Sequence, residues 1–149
     1  PYKTKKVWSW IKNLMYLCFV AVMFVSCGDD TEDCSAGLYG DDCENRLQDL
    51  YIGTWSGDDC DGDPYSIVIS AGDTAEDIVI LNGGLEIQGK ATSQTMFDIP
   101  TQTLTEPVFQ LEVTIVGDGT LLEDGTISFT ATVTSAFGGG TCTNIMTKQ

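Results

Sequence analysis

The sequence predicts an all-β protein: an antiparallel up-and-down meander of about eight strands closed as a barrel, with a two-sheet β-sandwich as the alternative. Three observations carry this expectation. From Tyr51 onward apolar residues recur at every second position, most cleanly in Ile127-Ser-Phe129-Thr-Ala131-Thr-Val133, which has one apolar and one hydroxyl face. Turn-forming clusters separate the runs, at Asn82-Gly83-Gly84, Gly117-Asp118-Gly119, Glu123-Asp124-Gly125 and Gly138-Gly139-Gly140. No comparable stretch offers a capped helix of helical period.

The elements follow in order. The first strand, 51–57, carries Tyr51 and Trp55. The second, 65–71, alternates through Tyr65, Ile67 and Ile69, and the third, 76–82, through Ile78 and Ile80. Leu85 and Ile87 set the phase of 85–92, and Phe97 lies in the short run 95–99. The alternation Phe109-Gln-Leu111-Glu-Val113-Thr-Ile115 places a strand at 107–116; strands at 125–135 and 140–146 complete the set. Closure solves the edge-strand problem. Ile67, Ile69, Ile80, Ile87, Phe97, Phe109, Val113, Phe129 and Val133 are the expected interior, bulky enough to fill the lumen of an eight-stranded barrel.

Composition narrows the function. There are 7 Lys+Arg against 22 Asp+Glu, a formal net charge of −15, and no His. Such a chain lacks the clustered cations that neutralise phosphates, so no nucleic-acid partner is expected. It also lacks the commonest general base and zinc ligand. No nucleophile elbow, zinc motif or phosphate loop occurs, and Gly117-Asp118-Gly119 is not followed by the helix a dinucleotide site needs. No enzyme, no catalytic residue and no cofactor is expected, and a glycan-processing enzyme with paired carboxylates is the distant alternative.

The charge is also segregated. Lys3, Lys5, Lys6 and Lys12 precede an apolar run, Leu14 to Val25, and every acidic residue comes after position 28. A basic flank, about a dozen apolar residues and a small-residue end form a signal peptide over 1–26, too short for the ~20 residues of a membrane span. The ending Phe24-Val25-Ser26-Cys27-Gly28 resembles the lipobox of bacterial lipoproteins. That resemblance implies cleavage before Cys27 and acylation of Cys27, and two or more acyl chains are what stable anchoring needs. Residues 27–50 then form an acidic tether, Gly28-Asp29-Asp30-Thr31-Glu32-Asp33, and a cysteine loop; 51–149 form the barrel domain. Past the cleavage point only Arg46, Lys90 and Lys148 are basic, 3 against 22 acidic side chains, a charge of −19. The acidic tract is similar to the surface-export signal of Bacteroidota lipoproteins. It implies an outer-membrane location on the outer face, with the periplasmic face as the alternative.

With Cys18 in the signal peptide and Cys27 acylated, Cys34, Cys43, Cys60 and Cys142 remain for an oxidising compartment. Of three connectivities, one local and one long bridge is the expected choice: Cys34–Cys43 and Cys60–Cys142. Cys60 follows the first strand and Cys142 lies in the last, neighbours in a closed meander. The segment Cys34-Ser-Ala-Gly37-Leu-Tyr39-Gly40-Asp-Asp-Cys43-Glu44 resembles the last loop of an EGF-like module, without that module's earlier cysteines or its calcium-binding residues. It is expected to act as a disulfide-clasped spacer.

Tyr51-Ile52-Gly53-Thr54-Trp55, the following Cys60, Ile99-Pro100-x-Gln102 and the closing strand with Cys142 resemble small lipocalin-like β-barrel lipoproteins of Bacteroidota. The resemblance implies a fold and an anchor: a non-enzymatic envelope lipoprotein held at the membrane by its lipid. Such a protein would work through contacts with envelope proteins, as an accessory of a larger outer-membrane complex. A lipocalin-like binder of a small apolar ligand is the alternative. One metal signal stands apart. Asp59, Asp61 and Asp63 have the first spacings of a calcium loop, but Pro64 replaces the turn Gly and Ser70 the bidentate Glu, so a solvated hairpin turn is expected. Intact-mass analysis of the membrane-purified protein should find a chain starting at Cys27 with an acyl adduct, and Cys27→Ala should release the protein or leave it uncleaved. A different N-terminus without lipid mass would refute the anchor.

Overall fold

The computed structural model describes residues 34–149; the signal peptide, Cys27 and the acidic tract expected from the sequence lie outside the described residues. A short hairpin, β1 (Leu38–Tyr39) with β2 (Asn45–Arg46), leads into one 3-10 turn, Leu47–Leu50. Eight strands follow: β3 (Gly53–Asp58), β4 (Pro64–Ala71), β5 (Asp77–Asn82), β6 (Leu85–Ala91), β7 (Met96–Thr105), β8 (Glu112–Leu121), β9 (Ile127–Ser135) and β10 (Gly138–Lys148). Each pairs antiparallel with the next, and β10 returns to β3, so the meander is a closed barrel and not a sandwich.

Up-and-down connectivity gives the barrel two unlike ends. One end gathers the 3-10 turn and the turns after β4, β6 and β8, and it is closed. Gln48 donates its backbone N–H to Ala75 O (3.1 Å), and its side-chain Oε1 accepts from Gly72 N–H (3.1 Å), fixing the 3-10 turn across the β4–β5 turn. The Tyr51 hydroxyl donates to Ser93 O (2.8 Å) in the β6–β7 turn, and Trp55 Nε1–H donates to Tyr51 O (2.7 Å). Lys148 lays its ammonium 5.4 Å from the Trp55 ring. Above this floor Tyr51, Trp55, Phe97 and a layer of isoleucines are fully buried, with Tyr51 and Phe97 packed edge to face at 5.2 Å.

Two of the eight strand junctions are thin. Between β10 and β3 the ladder has only Thr147↔Ser56 and Lys148↔Trp55, whereas β9 and β10 pair from Gly138↔Ser135 to Met146↔Ile127. Gln149 N–H adds one backbone bond to Thr54 O (2.9 Å); toward the other end the seam is held by side chains, Asn144 Nδ2 donating to Asp58 O (2.8 Å) and the Cys60–Cys142 disulfide joining the β3–β4 loop to β10 at a Cα separation of 5.8 Å. The second thin junction is β6–β7, where only Lys90↔Asp98 and Ala91↔Phe97 pair. There Gln102 stands in for a peptide group. Its Oε1 accepts from Gln88 N–H (2.9 Å) and its Nε2 donates to Gln88 O (2.7 Å), bridging the splayed strands.

Several boundaries differ from the sequence expectation, each for a physical reason. Gly117-Asp118-Gly119 is not a turn but the middle of β8, because Phe97, directly paired with Gly119, lays its ring where a Cβ would stand, 2.1 Å from Cζ. The run 107–111 is not strand. Pro107 cannot donate to a ladder, Gln110 has φ 57°, and the Glu106 carboxylate accepts from Val108 and Phe109 N–H (2.8 and 2.7 Å). Pairing therefore runs to Thr105 on β7 and starts at Glu112 on β8. Likewise Gly138 to Gly140 open β10, leaving Ala136-Phe137 as the turn.

The cysteine loop is more than a spacer. The Cys34–Cys43 disulfide clasps the β1–β2 hairpin, Tyr39 packs against the core, and Leu47 N–H donates to Gly37 O (2.7 Å). Gly37, at φ 83°, lets the hairpin reach the Ala75–Glu76 backbone, where a Cβ would approach to 2.6 Å. The loop thus docks on the closed end. Chain entropy assigns about 4.5 kcal/mol to the 82-residue Cys60–Cys142 separation and ~2.7 kcal/mol to the 9-residue Cys34–Cys43 one, both upper values. Replacing Cys60 and Cys142 by Ser should therefore lower Tm by about 5 °C or more beyond the Cys34/Cys43 double change. Equal losses in calorimetry would show that the seam does not depend on its covalent tie.

Candidate functional site

The second end of the barrel is built from the β3–β4, β5–β6, β7–β8 and β9–β10 connections, and nothing caps it among the described residues. Burial fades along each strand toward this end. On β9, Ile127 and Phe129 are buried, Ala131 is partly buried, and Val133, on the same inward row, is 39% exposed. Val113 on β8 is only half-buried for the same reason. Ile67, Ile69, Ile80, Ile87, Phe97 and Phe129 occupy the interior as expected, while Val133 lines the mouth and Phe109 lies outside altogether, 76% exposed.

Two clefts open here. An inner cleft of about 410 Å³ is lined by Phe129, Ala131, Val133, Tyr65, Asp59 and Asn144, among others. An outer one of about 460 Å³ lies between the β7–β8 loop and the β9–β10 turn; Thr103, Thr114 and Thr134 form its floor, and Glu112 and Phe137 stand at its sides. The rim carries the most exposed large apolar residues among those described: Val108 (73%), Phe109 (76%) and Phe137 (82%). Local hydrogen bonds hold them outward. The Glu106 carboxylate ties down the backbone of Val108 and Phe109, and Gln110 Nε2 donates to Pro107 O (2.9 Å). Ser135 Oγ accepts from Phe137 N–H (3.2 Å) and donates to Gly138 O (3.0 Å).

The acidic β3–β4 loop occupies the same end. Asp59 Oδ1 accepts from both Asp61 N–H and Asp63 N–H (2.9 Å each), so this carboxylate folds its own loop instead of facing a shared ion. Asp61 and Asp63 are exposed, and no group of three metal-ligating side chains converges among the described residues. The two disulfides join Cys34 to Cys43 and Cys60 to Cys142.

Sequence reasoning missed the rim. Phe109 fits the period-two pattern of its neighbours, and only Pro107 signals that the strand is interrupted. Phe137 precedes three glycines, which leave it at a hairpin tip. Glu106 and Glu112 read as ordinary exposed carboxylates until the loop brings them to the clefts. No protein-family model, curated protein or solved structure matches this chain. The class is therefore defined by the fold and its open end: a closed eight-stranded antiparallel barrel, filled below and rimmed above with aromatics and carboxylates.

Burial pushes the Tyr51 hydroxyl up to about 12, and Tyr65, in the inner cleft, is raised first by desolvation and then by the negative charge of Asp59. Both tyrosines hold their protons to higher pH folded than unfolded. Their contribution to stability is fully present below pH ~10, the unfolded value, and is lost as pH rises through the folded ones. In a Tyr51→Phe background, Asp59→Asn should lower the Tyr65 titration midpoint, followed by NMR of ring-labelled tyrosine. The midpoint should stay above ~10, because desolvation is the larger cause. An unchanged midpoint would remove Asp59 from the electrostatics of the cleft.

Proposed function

We propose that this protein is a non-enzymatic, lipid-anchored envelope protein that acts through protein contacts made by the open end of its barrel. The observation that carries this reading is the rim: Val108, Phe109 and Phe137 are apolar, strongly exposed and held outward by their own loops. Large apolar side chains grouped at one end of a small domain favour a contact surface. The described chain begins at the opposite, closed end, where the cysteine loop docks. An acyl group on Cys27 would hold the protein at the membrane, in keeping with an accessory of a larger outer-membrane assembly.

The inner cleft supports a second reading, a carrier of a small apolar molecule, through its Phe129, Ala131 and Val133 wall. It ranks lower, because the same cleft is open and lined by Asp59, Asn82 and Asn144, and because Trp55, Phe97 and the isoleucines occupy the barrel below it. Photo-crosslinking in intact cells separates the alternatives. A photoreactive residue at Phe109 or Phe137 should give discrete protein adducts, and one at Thr54, exposed near the closed end, should not. Absence of rim adducts, with an apolar molecule extracted from the purified barrel, would favour the carrier.

A further inference from the structure

We infer that the open rim docks a cationic polypeptide segment bearing apolar side chains; this rests on the contact reading above and names its partner's chemistry. The carrying observation is that the exposed aromatics share the open end with carboxylates and with none of the described cations. Asp58, Asp59, Asp61 and Asp63 lie at the β3–β4 loop, and Glu106 and Glu112 flank the β7–β8 loop, all at the open end. The basic residues described are Arg46, Lys90 and Lys148, and none is there. Arg46 adjoins the 3-10 turn, Lys90 pairs with Glu76 (2.6 Å) beside the β4–β5 turn, and Lys148 covers Trp55. The exposed aromatics thus stand in a field of one sign.

That field selects the occupant. A second copy of this chain would bring the same carboxylates against their like, and an anionic lipid surface or a nucleic acid meets no cation at the rim. A basic segment meets carboxylates on both sides, while its apolar side chains find Phe109, Phe137 and the Val133 wall of the mouth. The aromatic positions are also pre-ordered. Glu106 fixes the backbone of Val108 and Phe109, and Ser135 fixes that of Phe137, so little further ordering of the loops is needed on binding. Aromatic anchors ringed by charge give affinity through the first and specificity through the second.

The test uses the full chain in non-ionic detergent, with detergent alone as blank, and three labelled synthetic peptides read by fluorescence anisotropy. One alternates Lys with Leu, a second Glu with Leu, a third Lys with Gly. The Lys/Leu peptide should bind about tenfold or more tighter than either counterpart, and weaken toward about 1 M salt, where charges are screened within ~3 Å. Phe109→Ser with Phe137→Ser, or Asp61→Asn and Asp63→Asn with Glu112→Gln, should each weaken it about tenfold; neutralising Asp98, Asp118 and Glu123 should change it less than about twofold. Thermal unfolding checks each variant, and Phe137→Ser alone serves if the double change unfolds the barrel. Equal binding of the Glu/Leu peptide, or equal loss from the second carboxylate set, overturns the inference. If the Phe changes weaken the Lys/Leu and Glu/Leu peptides alike, the rim remains a contact surface and only its preference for cations fails. If no rim substitution alters binding, both readings fail.

Discussion

Closure of the last strand on the first is the constraint on which the rest of the molecule depends. An up-and-down meander buries its inward row only when β10 finds β3, and here the ladder supplies two residue pairs for that task. Gln149 N–H extends the ladder at the closed end by one bond to Thr54 O (2.9 Å), and toward the mouth side chains take over: an amide of Asn144 on the Asp58 carbonyl, and a disulfide. Removing either partner of a buried hydrogen bond costs more than the bond itself contributes, since the orphaned group stays dehydrated. Asn144, one of two buried polar residues described, is therefore a structural member of the seam and not a surplus polar group in the cleft.

A second weak junction is handled by related means. The β6–β7 strands part after two pairs, and the Gln102 carboxamide makes the donor–acceptor pair that the absent backbone would have made. Both gaps widen toward the open end, and both leave the closed end intact. The consequence is a gradient. At the floor, hydrogen bonds from Tyr51, Trp55 and Gln48 connect the 3-10 turn to distant turns, and the aromatic core is dry. At the mouth, side chains are half covered, the loops are locally folded and the charge is all negative. Stability and presentation thus occupy opposite ends of one short barrel.

Much of the fold was legible in the residues. Ile127 to Val133 announces its two faces unaided, and of the three pairings open to four cysteines the expected local and long bridges are the ones formed. What misled was local chemistry whose meaning depends on a neighbour in space. Gly117 and Gly119 resemble a turn until Phe97 fills the space above Gly119. Phe109 resembles a core residue until Pro107, Glu106 and Gln110 fold the chain out of the ladder.

The sequence by itself determined strand type, which residues alternate between faces, the even number of cysteines left to pair and the excess of negative charge. Tertiary structure decided how deep along the barrel each residue lies, and with it the candidate site. The physical reason is that a period of two specifies the side of a strand and carries no information about height along the axis. Phe129 and Val133 share one inward row, yet the first is buried and the second is 39% exposed, because no further layer covers it among the described residues. The rim exists where the layers stop.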